Sequence, residues 1–499
     1  MEALEESPSV SVRLNPFKIK ALAPSSEAIG QDENLTGTLS NGDIFPGSEP
    51  VKWSPWGRIL GERPVFTLDP ILHAGGYYVQ DSSSMFVGYI FRQVLSGLSG
   101  GSGSGETRGN SPIQNLRPLG RNIRVLDLCA APGGKTTDLA ASLREAFGDG
   151  FLLVSNEVMK ARAGVLADNV ARWGDPNVAV TSADPAAFAA LPGFFDIILA
   201  DVPCSGEGMF RKDEKAREQW SEETVELCAA RQRRILADVW PALSPGGVLI
   251  YSTCTFNSRE NDGNVRWIAE NLGAEVLGAD CPFSEIIRTG EGFSLAPGFV
   301  SGEGQYCAAL RKTGPDNGGE CFAQDGFLQN GFENAREGGD SGAKAAKRKN
   351  GKAAAAKADF SEKEIAALFS SEVSIKQRGE LLIAVPQAVR QDIEALESVV
   401  RPLSTGVAAG EVKNGKLIPS ADLALSLLLR EDAFPRVELS RETALSYLHR
   451  DSICLPGAPA GYLVVTYRGL PLGFVKNIGA RCNNLLPMSR RILMNIQNK

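Results

Sequence analysis

Between residues 121 and 312, short apolar runs alternate with amphipathic stretches, and that alternation leaves few folds open. The runs Ile123–Leu128, Phe151–Ser155, Val178–Thr181, Phe195–Asp201 and Val248–Ser252 lack the polar alternation of a half-exposed strand. They read as strands buried on both faces. Between them Lys135–Ala146, Met159–Trp173, Ser221–Trp240 and Glu260–Asn271 carry apolar residues at helical spacing. The prediction is an α/β domain with a parallel sheet covered by helices on both sides. Pro245-Gly246-Gly247 reads as a turn before the fifth strand, and Gln305–Leu310 as a last, antiparallel strand. Ligands of such sheets gather outside the carboxyl ends of the strands. Function should therefore be legible in what each strand delivers there.

The first strand runs into Cys129-Ala130-Ala131-Pro132-Gly133-Gly134-Lys135-Thr136. The end of this segment matches a triphosphate loop, but the first glycine that loop requires would fall on Cys129. The dinucleotide fingerprint G-x-G-x-x-G is absent as well. What remains is a strand, a turn of small residues and a helix N-terminus, which can receive the carboxylate of an amino-acid cofactor. The next strand ends at Asn156-Glu157, and the third is followed by Asp184. Glu157 can accept hydrogen bonds from ribose hydroxyls, and Asp184 can hold an adenine amino group. One acid at a strand end is more often a helix cap, but three features in register reverse those odds. Cys129 to Lys135, Glu157, Asp184 and Asp201 are therefore the expected site for S-adenosylmethionine.

The fourth and fifth strands deliver thiols: Cys204 in Asp201-Val202-Pro203-Cys204-Ser205-Gly206, and Cys254 in Ser252-Thr253-Cys254-Thr255. Cytosine C5 is too weak a nucleophile to attack a methylsulfonium. A thiolate adding at C6 makes C5 nucleophilic, and expulsion of the thiol after loss of the C5 proton restores the ring. The thiolate is the reactive form, and Lys135 is the expected cation that favours it. Asp201 can hydrogen-bond the N3/N4 edge once N3 is protonated. The base must leave its stack, so the target is single-stranded or flipped. Single cysteines are usually small apolar fillers, the reading taken for Cys228, Cys281, Cys307 and Cys454, with Cys129 packing beneath the cofactor loop.

Nine scattered cysteines without C-x-x-C spacing exclude a disulfide framework or a structural metal site, and no metal is expected. Two histidines leave little material for Ser-His or Cys-His catalysis. No apolar run reaches the ~18 residues of a membrane span, and the acidic N-terminus is not a signal peptide. A cytoplasmic protein without membrane contact follows. Net charge −7 argues weakly against nucleic acid. Local basic clusters count for more: Arg211, Lys212, Lys215 and Arg217; Arg231, Arg233 and Arg234; Arg481, Arg490 and Arg491.

Residues 1–93 contain a short strand near Ser11–Asn15 and a strand running into a helix at Tyr77–Met85. Residues 94–120 read as a flexible Gly/Ser-rich insert, 121–312 as the catalytic domain and 313–358 as a flexible basic linker. Residues 359–499 open a new α+β pattern ending in strand-like Gly461–Tyr467 and Gly473–Lys476.

Three segments carry a resemblance to the Nol/Nop/Sun family of RNA 5-methylcytosine methyltransferases: Leu126 to Thr136, Asp201 to Lys212, and Ser252-Thr253-Cys254-Thr255. The run Met209-Phe210-Arg211-Lys212 is most similar to the bacterial branch acting on small-subunit ribosomal RNA. The tail from Leu472 to Leu485 resembles that branch's PUA-like RNA-binding domain. The resemblance implies a Rossmann-like, S-adenosylmethionine-dependent methyltransferase fold, and it implies that Cys254 is the nucleophile and Cys204 assists release, a ranking the residues alone leave open. It also implies an RNA partner, 16S rRNA foremost, and the protein is expected to act as a monomer. The helical part of the family's N-terminal RNA-binding region has no counterpart before Arg13, so residues 1–93 are expected to be a truncated version. Leu486 to Ile492 lacks the family's aromatic residues. A tRNA methyltransferase and a non-catalytic RNA-binding assembly factor are the alternatives.

Overall fold

The computed structural model describes residues 2–19, 44–98, 121–314 and 362–495. Strands β1 (Val10–Leu14), β2 (Glu49–Pro50), β3 (Gly57–Leu60) and β4 (Tyr77–Val79) form an N-terminal antiparallel sheet in the order β2-β3-β1-β4. Helix α1 (Met85–Leu98) leads from it to the central sheet. That sheet contains β5 (Ile123–Asp127), β6 (Phe151–Asn156), β7 (Val178–Thr181), β8 (Phe195–Asp201) and β9 (Leu243–Thr253). It continues through β10 (Ala274–Leu277), β11 (Ile287–Arg288), β12 (Phe293–Leu295) and β13 (Gln305–Lys312). Its order is β11-β12-β13-β9-β8-β5-β6-β7, with β10 also on β13. Strands β5 to β9 are mutually parallel, and β13 is antiparallel to β9, as predicted. The order reverses at β5, flanked by β6 and β8, and a crevice opens at such a point.

Helices α2 (Gly134–Phe147), α3 (Lys160–Trp173), α4 (Glu222–Val239) and α5 (Asp262–Leu272) connect these strands. Two apolar layers cover the sheet. One joins Val125, Leu153, Ile197 and Ile250 to Met85, Phe86 and Phe91 of α1. The other joins Leu126, Val154, Ile198 and Leu249 to Leu236 and Val239 of α4. Boundaries fall within a few residues of the sequence reading, with one correction. Pro245-Gly246-Gly247 does not precede β9 but bulges inside it, because Phe195 pairs with Leu243 while Ile197 pairs with Val248.

The C-terminal part holds two further sheets rather than one: β14 (Val373–Arg378), β15 (Leu381–Pro386), β16 (Val407–Lys413) and β17 (Lys416–Pro419), then β18 (Arg436–Glu438), β19 (Gly461–Tyr467), β20 (Leu470–Asn477) and β21 (Cys482–Asn484). The first contributes Ile383 and Val385 to the core of the central sheet. The second shares a core with the N-terminal sheet, Leu463 and Leu472 meeting Val12 and Ile71. Between β15 and β16 the chain docks on the rim of β7, where Val180 N–H donates to Ser404 O at 2.9 Å and Leu403 N–H to Val180 O at 2.8 Å. The expected insert and linker lie outside the described residues except at their ends. Residues 94–98 are not flexible: they close α1, with Val94 and Leu95 buried. Among the described residues no helix is long and apolar enough to cross a membrane.

Candidate active site

The parallel strands end on one rim of the sheet. Asp127 closes β5, Asn156 closes β6 and Asp201 closes β8, while Cys204 and Cys254 follow β8 and β9. The two sulfurs lie 3.2 Å apart, close enough for one thiol to donate to the other. Lys135, from the first turn of α2, places Nζ 2.8 Å from Asp201 Oδ2. Burial pulls its ammonium down, but Asp201 overrides this and holds it above the ordinary lysine value. Asp201 Oδ1 accepts from Ser252 Oγ at 3.0 Å and Gln305 Nε2 at 3.2 Å. The Gln305 amide also donates to Ser252 Oγ at 2.5 Å and Thr253 O at 2.9 Å.

The two thiols are unequal. The hydrogen bond from Cys204 pulls Cys254 below the ordinary cysteine value against burial and Asp201, and Lys135 acts in the same direction. That bond, with burial, pushes Cys204 well above it, and the Glu260 charge adds to the rise.

Each thiol loop is clamped by a carboxylate from the other. Glu207, three residues beyond Cys204, accepts from Phe256 N at 2.6 Å and Asn257 N at 3.0 Å. Glu260, six residues beyond Cys254, accepts from Ser205 N at 3.1 Å. Asn257 Nδ2 bridges the pair, 3.2 Å from Glu207 Oε1 and 2.8 Å from Glu260 Oε1. Gln232 of α4 donates to Glu260 Oε2 at 2.7 Å and to Pro203 O at 3.0 Å. Gly208 passes so close to the Cys254 carbonyl that a Cβ there would lie 2.5 Å from it, while its own N–H donates to that oxygen at 2.7 Å.

On the cofactor side the loop before α2 turns at Gly133, whose φ of +115° suits glycine. No side chain caps α2, so its first-turn amides keep their capacity for an anion. Arg162 and Asn169 of α3 hold the loop by its carbonyls, donating to Ala131 O and Pro132 O at 2.8 Å each. Ala130 N–H donates to Asn156 O at 2.8 Å. Glu157 is buried, with Met159 N–H on Oε1 at 3.0 Å and Arg162 3.1 Å from Oε2. Asp127 is fully buried; burial raises it to about 7, Thr136 Oγ1 donates to Oδ2, and Oδ1 has no partner. An uncapped helix end and a strand-end carboxylate suit the carboxylate and ribose of S-adenosylmethionine, so the residues present fit that cofactor.

Residues 114–311 match the sequence model described as 16S rRNA methyltransferase RsmB/F. Residues 434–492 match the model described as the methyltransferase RsmF PUA domain. A ribosomal RNA small subunit methyltransferase F from Serratia proteamaculans is 32% identical over 451 residues, spanning 88% of this chain and 84% of the relative. The chain belongs to the 16S rRNA methyltransferase RsmB/F family. The protein of the same name from Cronobacter sakazakii is 32% identical over 489 residues, 96% of this chain and 89% of its own. A solved methyltransferase homolog from Pyrococcus horikoshii is 24% identical with a TM-score of 0.45, covering 62% of this chain and 88% of that one. Family membership makes the chain a methyltransferase of the Rossmann-like class whose cofactor is S-adenosylmethionine. The PUA match covers the sheet β18 to β21, and the sheet β14 to β17 lies outside it.

Of the residues singled out by sequence, the structure gathers Lys135, Asp201, Cys204 and Cys254 at one point and Cys129 to Gly134 with Glu157 beside it. Asp184 lies at the same rim but caps the turn Pro185–Ala190, its Oδ1 accepting from Ala186 N at 3.0 Å, and is exposed. The basic clusters need correction. Arg211 is an internal group paired with Glu303, and Arg490 is paired with Asp168 and Asp422 with its side chain 8% exposed. Lys212 also lies near Glu303, Arg217 meets Glu5 and Arg233 donates to Asn264, leaving Lys215, Arg231, Arg234 and Arg481 exposed and outside any ion pair among the described residues. Cys454 is exposed and so not the core filler expected, whereas Cys228 and Cys307 are buried and Cys281 packs half-buried against the core. Gln305, Glu207, Glu260 and Arg162 were not singled out. A Gln opening an otherwise apolar strand was the one available signal, and it pointed to no partner.

Proposed function

We propose that the chain methylates cytosine at C5 in RNA, 16S rRNA foremost, through a covalent Cys254–C6 adduct. The observation that carries this is the thiol pair at 3.2 Å beside the Lys135–Asp201 ion pair. Cys254, the thiol of lower pKa, adds to C6 of the flipped base, and Asp201 receives the N3/N4 edge as N3 takes up a proton. Bound S-adenosylmethionine supplies the methyl group that C5 takes. Loss of the C5 proton and departure of Cys254, assisted by Cys204, return the base to aromaticity. The loop from Cys129 to Lys135, with Glu157 and Asp184, holds the cofactor. The N-terminal region, residues 1–93, and the C-terminal part, residues 359–499, bind the RNA around the site, and the protein works as a cytoplasmic monomer.

The test is a denaturing gel of the Cys204→Ala variant incubated with S-adenosylmethionine and small ribosomal subunits, free rRNA or tRNA. An RNA-linked band that disappears when Cys254 is also replaced supports the reading, and the RNA that gives it identifies the substrate. A band that survives loss of Cys254, or none with any RNA alongside clear cofactor binding, overturns it.

A further inference from the structure

The clamp around the two thiols is built on two buried carboxylates, Glu207 and Glu260. Glu260 is fully buried, and its carboxylate is met by the N–H groups of Ser205, Gln232 and Asn257. Among the described residues no Lys or Arg nitrogen lies within 4 Å of it, so its charge is dispersed by dipoles and not cancelled by a cation. Its nearest sulfur loop is that of Cys204, through Ser205 N–H and, by way of Gln232, Pro203 O. The Lys135–Asp201 ion pair acts on Cys254 from both of its members, Asp201 opposing the thiolate and Lys135 favouring it, whereas the Glu260 charge raises Cys204.

We propose that Glu260 is a positioning residue for Cys204: it fixes that thiol's loop by the Ser205 N–H and places uncancelled negative charge there, so that the proton shared by the two sulfurs stays on Cys204. The inference deepens the proposed mechanism, since a proton on Cys204 is what leaves Cys254 free to attack. On this reading two residues of the same type take different parts: Cys254 is the attacking sulfur and Cys204 its hydrogen-bond donor. Glu207 performs the mechanical half of the clamp on the Cys254 loop. It is buried as well, with the N–H groups of Phe256, Asn257 and Trp220 donating to it.

The test needs no RNA. The full-length chain is alkylated with iodoacetamide from pH 6 to pH 10, and the peptides carrying Cys204 and Cys254 are quantified by mass spectrometry. In the unmodified chain Cys254 reacts first at every pH below 9. In Glu260→Gln the ratio of Cys204 to Cys254 labelling rises roughly tenfold, the effect of about one pKa unit on one thiol. In Glu260→Asp, which keeps the charge and shortens the reach, the ratio stays near that of the unmodified chain. A Glu260→Asp ratio that rises as far as Glu260→Gln makes the residue merely structural and overturns the proposal. So does faster labelling of Cys204 in the unmodified chain, a result that stands even where Glu260→Gln does not fold. A labelling shift as expected, from a chain that forms no RNA adduct, would keep this inference and discard the substrate assignment.

Discussion

Replacing Arg13 with Met removes a charge that ties the N-terminal sheet to the cofactor helix. The Arg13 side chain is fully buried, and burial lowers its pKa only to about 10, so it is charged at neutral pH. It donates to Gln80 Oε1 at 2.8 Å, Thr137 Oγ1 at 2.5 Å and Gly134 O at 3.1 Å, lies 3.9 Å from Asp138 Oδ2 and stacks on Trp173 at 4.7 Å. Met keeps the apolar stem on Trp173, so the loss is electrostatic. Breaking one side of a buried charge pair costs about 3–5 kcal/mol. Asp138 keeps Arg92 at 3.1 Å, which places the cost near the lower end, about 3 kcal/mol. Several shared cores make global unfolding a poor two-state measure. Native-state hydrogen exchange at the amides of residues 134–140 is the better assay, and 3 kcal/mol is about a hundredfold in opening equilibrium. Affinity for S-adenosylmethionine, measured by calorimetry, should fall with it. Removing both charges in Arg13→Met/Asp138→Leu should recover part of the loss, as neighbouring charges couple. Exchange within threefold of the unmodified chain, or a double variant worse than the sum of the singles, would refute the electrostatic account.

Burial pulls the buried Lys18 ammonium to about 7, well below the roughly 10.4 of an unfolded lysine. The unfolded chain therefore binds more protons between those values, and stability should rise with pH across that window. Lys18→Met should abolish that rise in the opening free energies from native-state hydrogen exchange compared at pH 7 and pH 9.5, after correction for intrinsic exchange rates, and parallel pH profiles would disprove this. Gly208→Ala forces a Cβ to 2.5 Å from the Cys254 carbonyl, displacing that residue. Methyl transfer should drop roughly a hundredfold while S-adenosylmethionine binding holds, and unchanged turnover would show that the loop yields freely. Gln305→Leu removes one of the two donors to Asp201 Oδ1 and leaves Ser252 Oγ as the other, and should lower kcat roughly tenfold or more. In an Asp201→Asn background the same change should cost nothing further; additive losses would mean that Gln305 acts elsewhere.

What the sequence disclosed and what it withheld divide along physical lines. Buried parallel strands must be apolar on both faces, so Val178–Thr181 and Phe195–Asp201 were readable to the residue. The thiols and the glycine loop were readable because their chemistry is confined to a few residues after a strand. Arg13, Gln305 and Glu260 were not, because each is a polar side chain whose partners lie in other elements. Arg13 meets Gly134 and Thr137, and Glu260 meets Ser205 and Gln232. The basic clusters misled for the converse reason. Arg211 and Arg490 look like surface charge in a linear chain, but folding gives each an acidic partner far along the sequence.

The docking of Leu403 and Ser404 on β7 bears on how the protein is made. Strand β7 is an outer strand of the catalytic sheet, and its rim is covered by residues translated long after it. At about 5–20 residues per second, that rim waits some tens of seconds on the ribosome with backbone groups unpaired. For that interval the nascent catalytic domain offers a sticky edge to neighbouring chains. The segment that ends the exposure comes from the C-terminal part of the chain, so a defect there would surface as poor yield of the folded protein.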